Sequence, residues 1–222
     1  MDVAEIYARG NVEFMGIELA IARGALVPRK ETELLGLAAL DVLEQQRAPA
    51  PRIIDMCCGT GNLACAIASR IPMAEIWASD LTEDCVALAR SNARRLGLEA
   101  RVRVQRGDLF DGLESAGLGG AIDLVVCNPP YIPERRLESD WAYLLEHEPR
   151  EAFDGGPYGL DIYLRVLREA PRFLRQGGML LFETTPRQQR PLQALFQRVR
   201  AYDEVRLFAE RGNVAVVGGR RC

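Results

Sequence analysis

Ile53-Ile54-Asp55-Met56-Cys57-Cys58-Gly59-Thr60-Gly61 decides the fold: a short apolar run over residues 53–56 is followed by a glycine-bearing turn and then by the helical stretch 62–70. Small apolar residues Ala64, Cys65, Ala66 and Ala68 let that helix pack closely on a sheet. Outward from this unit the alternation repeats. Residues 74–79 read as a second strand and 83–96 as a helix, with Thr82 as its N-cap and Gly97 closing it. Residues 101–105 read as a third strand, and 122–127, continuously apolar, as a central parallel strand. A helix over 160–174, a strand over 179–183, a helix over 188–199 and a closing antiparallel hairpin, 205–208 with 214–217, complete the pattern. The expected fold is α/β: a mostly parallel, seven-stranded, Rossmann-like sheet with helices on both faces. Before it, residues 14–19 read as a strand of a small hairpin and 31–46 as a helix feeding the sheet, with 47–51 as a short linker.

A chain of 222 residues suits one sizeable α/β domain and is cramped for two. No stretch approaches the apolar length that crosses a bilayer, and the start, Met1-Asp2-Val3-Ala4-Glu5, carries acid where a secretion signal carries base. The expected location is cytoplasmic, without a membrane partner. Six cysteines, Cys57, Cys58, Cys65, Cys85, Cys127 and Cys222, show no metal-ligand spacing and read as small buried hydrophobes in a reducing compartment, so no metal is expected. A net charge of −3 argues against the broad positive surface of a nucleic-acid binder. The basic cluster Arg90, Arg94, Arg95, Arg101, Arg103 and Arg106 is interleaved with Glu83, Asp84 and Glu99 and reads as solvated helix and strand edges. Lys30 is the sole lysine and His147 the sole histidine, which leaves few candidates for Schiff-base or histidine-dyad catalysis.

Chemistry concentrates at the carboxyl edge of the sheet. Asn128-Pro129-Pro130-Tyr131 follows the central strand directly. The prolines stiffen the turn and give up their N–H groups, so the surrounding carbonyls and the Asn128 amide face outward as acceptors for a substrate N–H, with the flat ring of Tyr131 beside them. Asp55 precedes the glycine turn, and Asp80, at the end of the second strand, stands where an acid accepts both hydroxyls of a ribose. Asp108, after the third strand, adds a third carboxylate, whose plainer reading is a helix cap or solvated turn. Carboxylates so placed repel a pyrophosphate and suit a ribose, an adenine amino group and an ammonium, which favours S-adenosylmethionine over a dinucleotide.

On these residues the chain resembles the class I methyltransferases, and more closely the protein-glutamine methyltransferase family that acts on peptide-chain release factors, over roughly residues 10–220. The resemblance implies that residues 55–61 form the cofactor motif, Asp55, Cys57, Gly59 and Gly61 among them, with Asn62 opening the helix behind it. It implies that Asp80, with Leu81 beside it, holds the ribose, that Asp108 and Leu109 of Gly107-Asp108-Leu109 contact the adenine, and that Asn128-Pro129-Pro130-Tyr131 is the amino-acceptor motif. Val27-Pro28-Arg29-Lys30-Glu31-Thr32-Glu33 is similar to the family's Pro-Arg-Pro-Glu-Thr-Glu segment lining the cofactor pocket, which brings in Pro28, Arg29 and Thr32, with Lys30 in place of a proline. Glu148-Pro149, Gly159-Leu160-Asp161 and residues 177–183 fall in the family's order. Residues 1–50 are then expected to form a hairpin and helix lining the cofactor pocket, and 51–222 the catalytic domain, in one compact unit.

The family carries an additional amino-terminal helical domain that helps dock the release factor, whereas at most a dozen residues precede the hairpin here; Glu183-Thr184-Thr185-Pro186 departs from the family's glycine-containing segment. The first expectation is therefore N-methylation of a small metabolite or peptide, with Asn128 and the Pro129 carbonyl holding the nitrogen. Release factor glutamine methylation is the second. A third is closure of the cofactor's own aminobutyryl chain into a small ring, releasing methylthioadenosine, with Asn128 on the amine and Tyr131 or Tyr163 facing the sulfonium. The long loop 132–158 is expected to cover the acceptor. Tyr7, Phe14, Trp141, Tyr143 and Tyr158 are candidates for the acceptor wall, although aromatics at such places are more often plain packing.

Overall fold

Strands β3 (Arg52–Met56) and β6 (Ile122–Cys127) show why continuously apolar sequence becomes the middle of a sheet. They pair in parallel, Ile53 opposite Leu124 and Met56 opposite Cys127, and alternate residues feed two different cores. Ile53, Leu124 and Val126 pack beneath helices α2 (Glu33–Gln46), α3 (Asn62–Arg70) and α4 (Glu83–Arg95). Ile54, Met56, Val125 and Cys127 pack beneath α6 (Asp161–Glu169) and α7 (Pro186–Val199) on the other face. These relations come from a computed structural model that describes residues 3–139 and 141–222; Met1 and Asp2, part of the acidic start read above, lie outside the described residues.

The seven-stranded sheet runs β5 (Val102–Arg106), β4 (Glu75–Asp80), β3, β6, β7 (Leu174–Thr184), β9 (Val214–Arg221), β8 (Tyr202–Arg211). The first five pair in parallel and the last two close it antiparallel, which is the mixed, Rossmann-like architecture expected. The chain winds outward from β3 to β5, then crosses to β6 on the opposite side of β3. That reversal opens a crevice at the carboxyl ends of β3 and β6, the general ligand site of such sheets. Gly61 sets how close the helices come: at φ +75° it leads into α3, and a Cβ there would sit 3.1 Å from that of Ala89 on α4.

Two elements differ from the sequence expectation. After α1 (Val3–Arg9), residues 14–19 are not one strand but the turn of a hairpin, β1 (Asn11–Phe14) and β2 (Ile17–Ala20). Met15 and Gly16 both take positive φ, +48° and +80°, the geometry that matches the strand twist at a two-residue turn. The turn is tied down from two helices, the Met15 N–H donating to Glu33 Oε1 at 2.9 Å and Arg70 donating to the Met15 carbonyl at 2.9 Å. The helix expected to reach residue 174 ends at Glu169, where a 3-10 turn, Ala170–Arg172, carries Pro171, and β7 begins five residues before position 179 with a bulge against β6.

The segment after Tyr131 is built rather than open. It holds the single-turn helix α5 (Glu134–Leu137), two 3-10 turns, Ala142–Glu146 and Arg150–Ala152, and a bridge between Ile132 and Asp154 over a small core of Ile132, Leu137 and Phe153. In the basic cluster Arg101 donates to the carbonyls of Ala68, Ile71 and Ala74, and Arg90 to that of Val104, so these two arginines tie backbone together. Among the described residues no helix is long and apolar enough to cross a membrane.

Candidate active site

A cleft opens at the crevice, and most residues singled out by sequence meet there: Pro28, Arg29, Thr32, Asp55, Cys57, Gly59, Asn62, Asp80, Leu81, Asp108, Leu109 and Asn128 all line it. Its floor is set by the turn after β3. Cys57 and Gly59 adopt positive φ, which curls the backbone so that the Gly59 N–H donates to Asp80 Oδ2 at 2.8 Å. The Thr82 N–H donates to Asp80 Oδ1 at 3.2 Å. Both carboxylate oxygens are thereby fixed in direction, each with a lone pair left for a ligand.

Asp55 is fully buried at the cleft wall. Its Oδ2 accepts from the Ala64 N–H at 3.0 Å, near the start of α3, but Oδ1 has no hydrogen-bond partner. Burial, offset in part by that amide bond and reinforced by the Asp80 charge, pushes its carboxyl from the ordinary 3.8 up to about 7. Further along, the Ser79 hydroxyl donates to the Leu109 carbonyl at 2.8 Å and pins Leu109 at φ +56° on the rim. Asp108 is paired with Arg165 of α6 at 2.9 Å, a partner the sequence did not suggest.

The roof comes from two segments far apart in sequence. Glu148, buried, accepts from the Val27 N–H at 2.9 Å and forms an ion pair with Arg29, joining Leu26, Pro28 and Arg29 to Pro149, Glu151 and Ala152 across the cleft. Removing this carboxylate leaves a buried amide and a half-buried guanidinium without a partner. Glu148→Ala is expected to lower stability by roughly 1–3 kcal/mol and weaken ligand binding in the same variant, measured by thermal unfolding and calorimetry.

At the mouth, the Asn128 side chain donates through Nδ2 to Thr32 Oγ1 at 3.2 Å, and Pro130 lines the opening. Pro129 is buried beside it and Gly61 caps the N-terminus of α3; neither lines the cleft. Tyr131 is half-buried with its phenol toward Glu183, and burial followed by the Glu183 charge pushes it above the usual phenol range. Tyr163 does not face the cleft. It sits fully buried on the inner face of α6, edge-on to Phe182, and its hydroxyl donates to the Glu183 carbonyl at 2.8 Å, so it belongs to the core. None of Tyr7, Phe14, Trp141, Tyr143 and Tyr158 lines the cleft either. Ser79, Glu148 and Glu183 went unassigned by sequence reasoning; each acts through a partner distant in the chain, which no local pattern displays.

The donor set suits one kind of ligand. Acidic acceptors and an apolar wall that includes Leu26, Leu63 and Ile162 line the cleft, with the buried Asp55 and its unpartnered Oδ1 at its wall, while the lining cation Arg29 is already engaged by Glu148. Hydroxyls, an ammonium and a sulfonium fit such walls; a pyrophosphate does not.

Comparison with known proteins agrees. A family model described as a methyltransferase domain matches residues 48–210. The release factor glutamine methyltransferase of Geobacter sulfurreducens is 36% identical over 96% of this chain and 72% of its own length. The 4-amino-L-phenylalanine/4-methylamino-L-phenylalanine methyltransferase of Streptomyces pristinaespiralis is also 36% identical, over 85% of this chain and 63% of its own. Among solved structures a methyltransferase from Pyrococcus furiosus superposes with a TM-score of 0.64 over 92% of this chain and 89% of its own, at 16% identity, a likeness of fold alone. Fold, cleft chemistry and relatives converge, and the chain belongs to the methyltransferase-domain family as a class I S-adenosylmethionine-dependent methyltransferase related to the release factor glutamine methyltransferases.

Proposed function

We propose that this enzyme methylates a nitrogen, an amide or amine of a small metabolite or peptide, held at the Asn128-Pro129-Pro130-Tyr131 turn. The observation that carries the reading is the Asn128 amide at the cleft rim: its nitrogen is engaged by Thr32, which leaves its oxygen to accept an N–H from an incoming ligand. When bound, S-adenosylmethionine supplies an electrophilic methyl group. Asp80 would hold its ribose hydroxyls and Asp55 its ammonium, and the cleft-lining Leu109 and Ile162 would offer apolar surface to its adenine. Asn128 Oδ1 accepts an N–H of the acceptor, which aims its lone pair into the cleft. Fixing both reactants at near-attack distance is worth roughly 7–11 kcal/mol, so no strong base is needed. The roof tied by Glu148 excludes water from the reacting centre.

Release factor glutamine is the second reading, supported by the 36% identity to the Geobacter enzyme; the aminophenylalanine relative, equally similar, supports a small arylamine. One experiment separates the readings. The purified protein is incubated with methyl-labelled S-adenosylmethionine, alone, with small arylamines and peptides, and with a release factor, and the products are identified by mass spectrometry. N-methylated small product with S-adenosylhomocysteine is the expected result. Label on the release factor alone supports the second reading, and methylthioadenosine from the donor alone means ring closure and refutes methyl transfer.

A further inference from the structure

Glu183, the penultimate residue of β7, is 3% exposed and has no role in the proposed reaction. Its Oε2 has no hydrogen-bond partner, and the polar side chains of Thr32, Tyr131 and Asn128 surround its carboxyl, each favouring the charged form. Thr32, itself 2% exposed, accepts from Asn128 Nδ2 at 3.2 Å and, like Asn128 itself, interacts with the Glu183 carboxyl.

A hydroxyl has one proton to give. When Thr32 donates it to the Glu183 carboxylate, the only role left for Oγ1 toward Asn128 is that of acceptor, so Asn128 must present its NH₂ to Thr32 and its Oδ1 to the cleft. Protonation of Glu183 removes this constraint. The acid O–H then donates to Thr32 Oγ1, the threonine proton is free to turn toward Asn128, and the reversed amide, with NH₂ at the cleft, becomes equally satisfied. A reversed amide offers a donor to an acceptor nitrogen that itself brings N–H groups, and repels it.

We propose that Glu183, acting on the Asn128 amide both directly and through the Thr32 hydroxyl, is the positioning residue that sets that amide with its oxygen toward the methyl-accepting nitrogen. The assignment rests on the nitrogen-acceptor reading for its consequence in catalysis, but the orientation itself is a property of the free protein. Burial raises the Glu183 carboxyl from 4.5 to about 7, helped by the Glu31 charge and opposed by Thr32, Tyr131 and Asn128. Glu31, Tyr131 and the buried Tyr163 are titratable groups that face it. The switch from protonated to charged Glu183 therefore falls near neutral pH, and turnover rises with pH up to it.

The deciding measurement is the side-chain NH₂ resonance pair of Asn128 in ¹⁵N-labelled protein without donor or acceptor, assigned by its loss in Asn128→Ala. In the wild type the pair is expected to titrate with a midpoint near pH 7, and in Glu183→Gln to lose that midpoint while cofactor affinity stays within about threefold. Because Asp55 titrates in the same range, the decision is taken on the Asn128 signals and not on the rate alone. In turnover assays Thr32→Val is expected to lower kcat tenfold or more and Thr32→Ser to restore most of it. Asn128 signals that do not move between pH 6 and 8, or that move identically in Glu183→Gln, overturn the proposal, and the wild-type titration alone decides if the variant does not fold. Should no nitrogen acceptor be methylated, the reaction reading fails by product analysis while the titration still judges the role of Glu183.

Discussion

Asn128→Ala is expected to cut turnover by roughly 10²–10³-fold, the size seen when one preorganised polar contact to a reacting group is removed, while the dissociation constant for S-adenosylmethionine changes by less than about threefold. The separation follows from the geometry. The carboxylates proposed to hold the donor, Asp55 and Asp80, are fixed by backbone amides of the glycine turn, of α3 and of Thr82, and not by Asn128. Asn128 enters from the other strand of the switch point, on the side where the proposed function places the acceptor. Single-turnover rates together with calorimetry check both halves of the prediction, and unchanged turnover removes Asn128 from the reaction.

Asp55→Asn is expected to act in two opposite directions. A carboxyl whose folded value is raised from 3.8 to about 7 destabilises the protein as pH rises. Below about pH 4 folded and unfolded chains both hold the proton and the burial has no electrostatic penalty. Between 4 and 7 the unfolded chain gives the proton up while the folded one retains it, so stability falls, and above 7 the full penalty of a buried charge is present. At roughly 1.4 kcal/mol per unit this amounts to a few kcal/mol. Asparagine still accepts the Ala64 N–H and carries no charge, so the free variant should melt higher than wild type at pH 8 and nearly the same at pH 4. The same change deprives the donor's ammonium of its counter-charge and should weaken binding by a hundredfold or more at pH 8. In the wild type, binding should tighten with pH through 7 and release a proton, which calorimetry in buffers of different ionisation enthalpy detects; equal melting at both pH values removes Asp55 as the strained group.

Much of this was legible in the chain. The run from Ile53 to Gly61 with its following helix, and the all-apolar β6, fixed the parallel core because strands covered on both faces have no polar alternation to blur them. The acids at the ends of β3 and β4 and the turn after β6 were legible because chemistry in an open α/β sheet gathers at carboxyl ends. Four features were not. The Met15-Gly16 turn looked like the middle of an apolar strand, since only one of its residues is glycine. Tyr163 carried a phenol that suggested the cleft, yet its place on α6 points it into the core, where the Glu183 carbonyl satisfies its hydroxyl. Asp108 finds Arg165, and Glu148 finds the Val27 amide 121 residues away; pairings at such separation leave no mark in periodicity or composition.

The Glu148 fastening couples two walls of one cleft. One carboxylate secures both the strap of Leu26, Pro28 and Arg29 and the segment on the opposite rim, so under the proposed function edits to residues 149–152 meant to admit a bulkier acceptor are expected to alter donor affinity as well. Changes of substrate preference in this scaffold should thus arrive as paired substitutions on both sides of that fastening, and single-site libraries confined to one rim should yield mostly weakened enzymes.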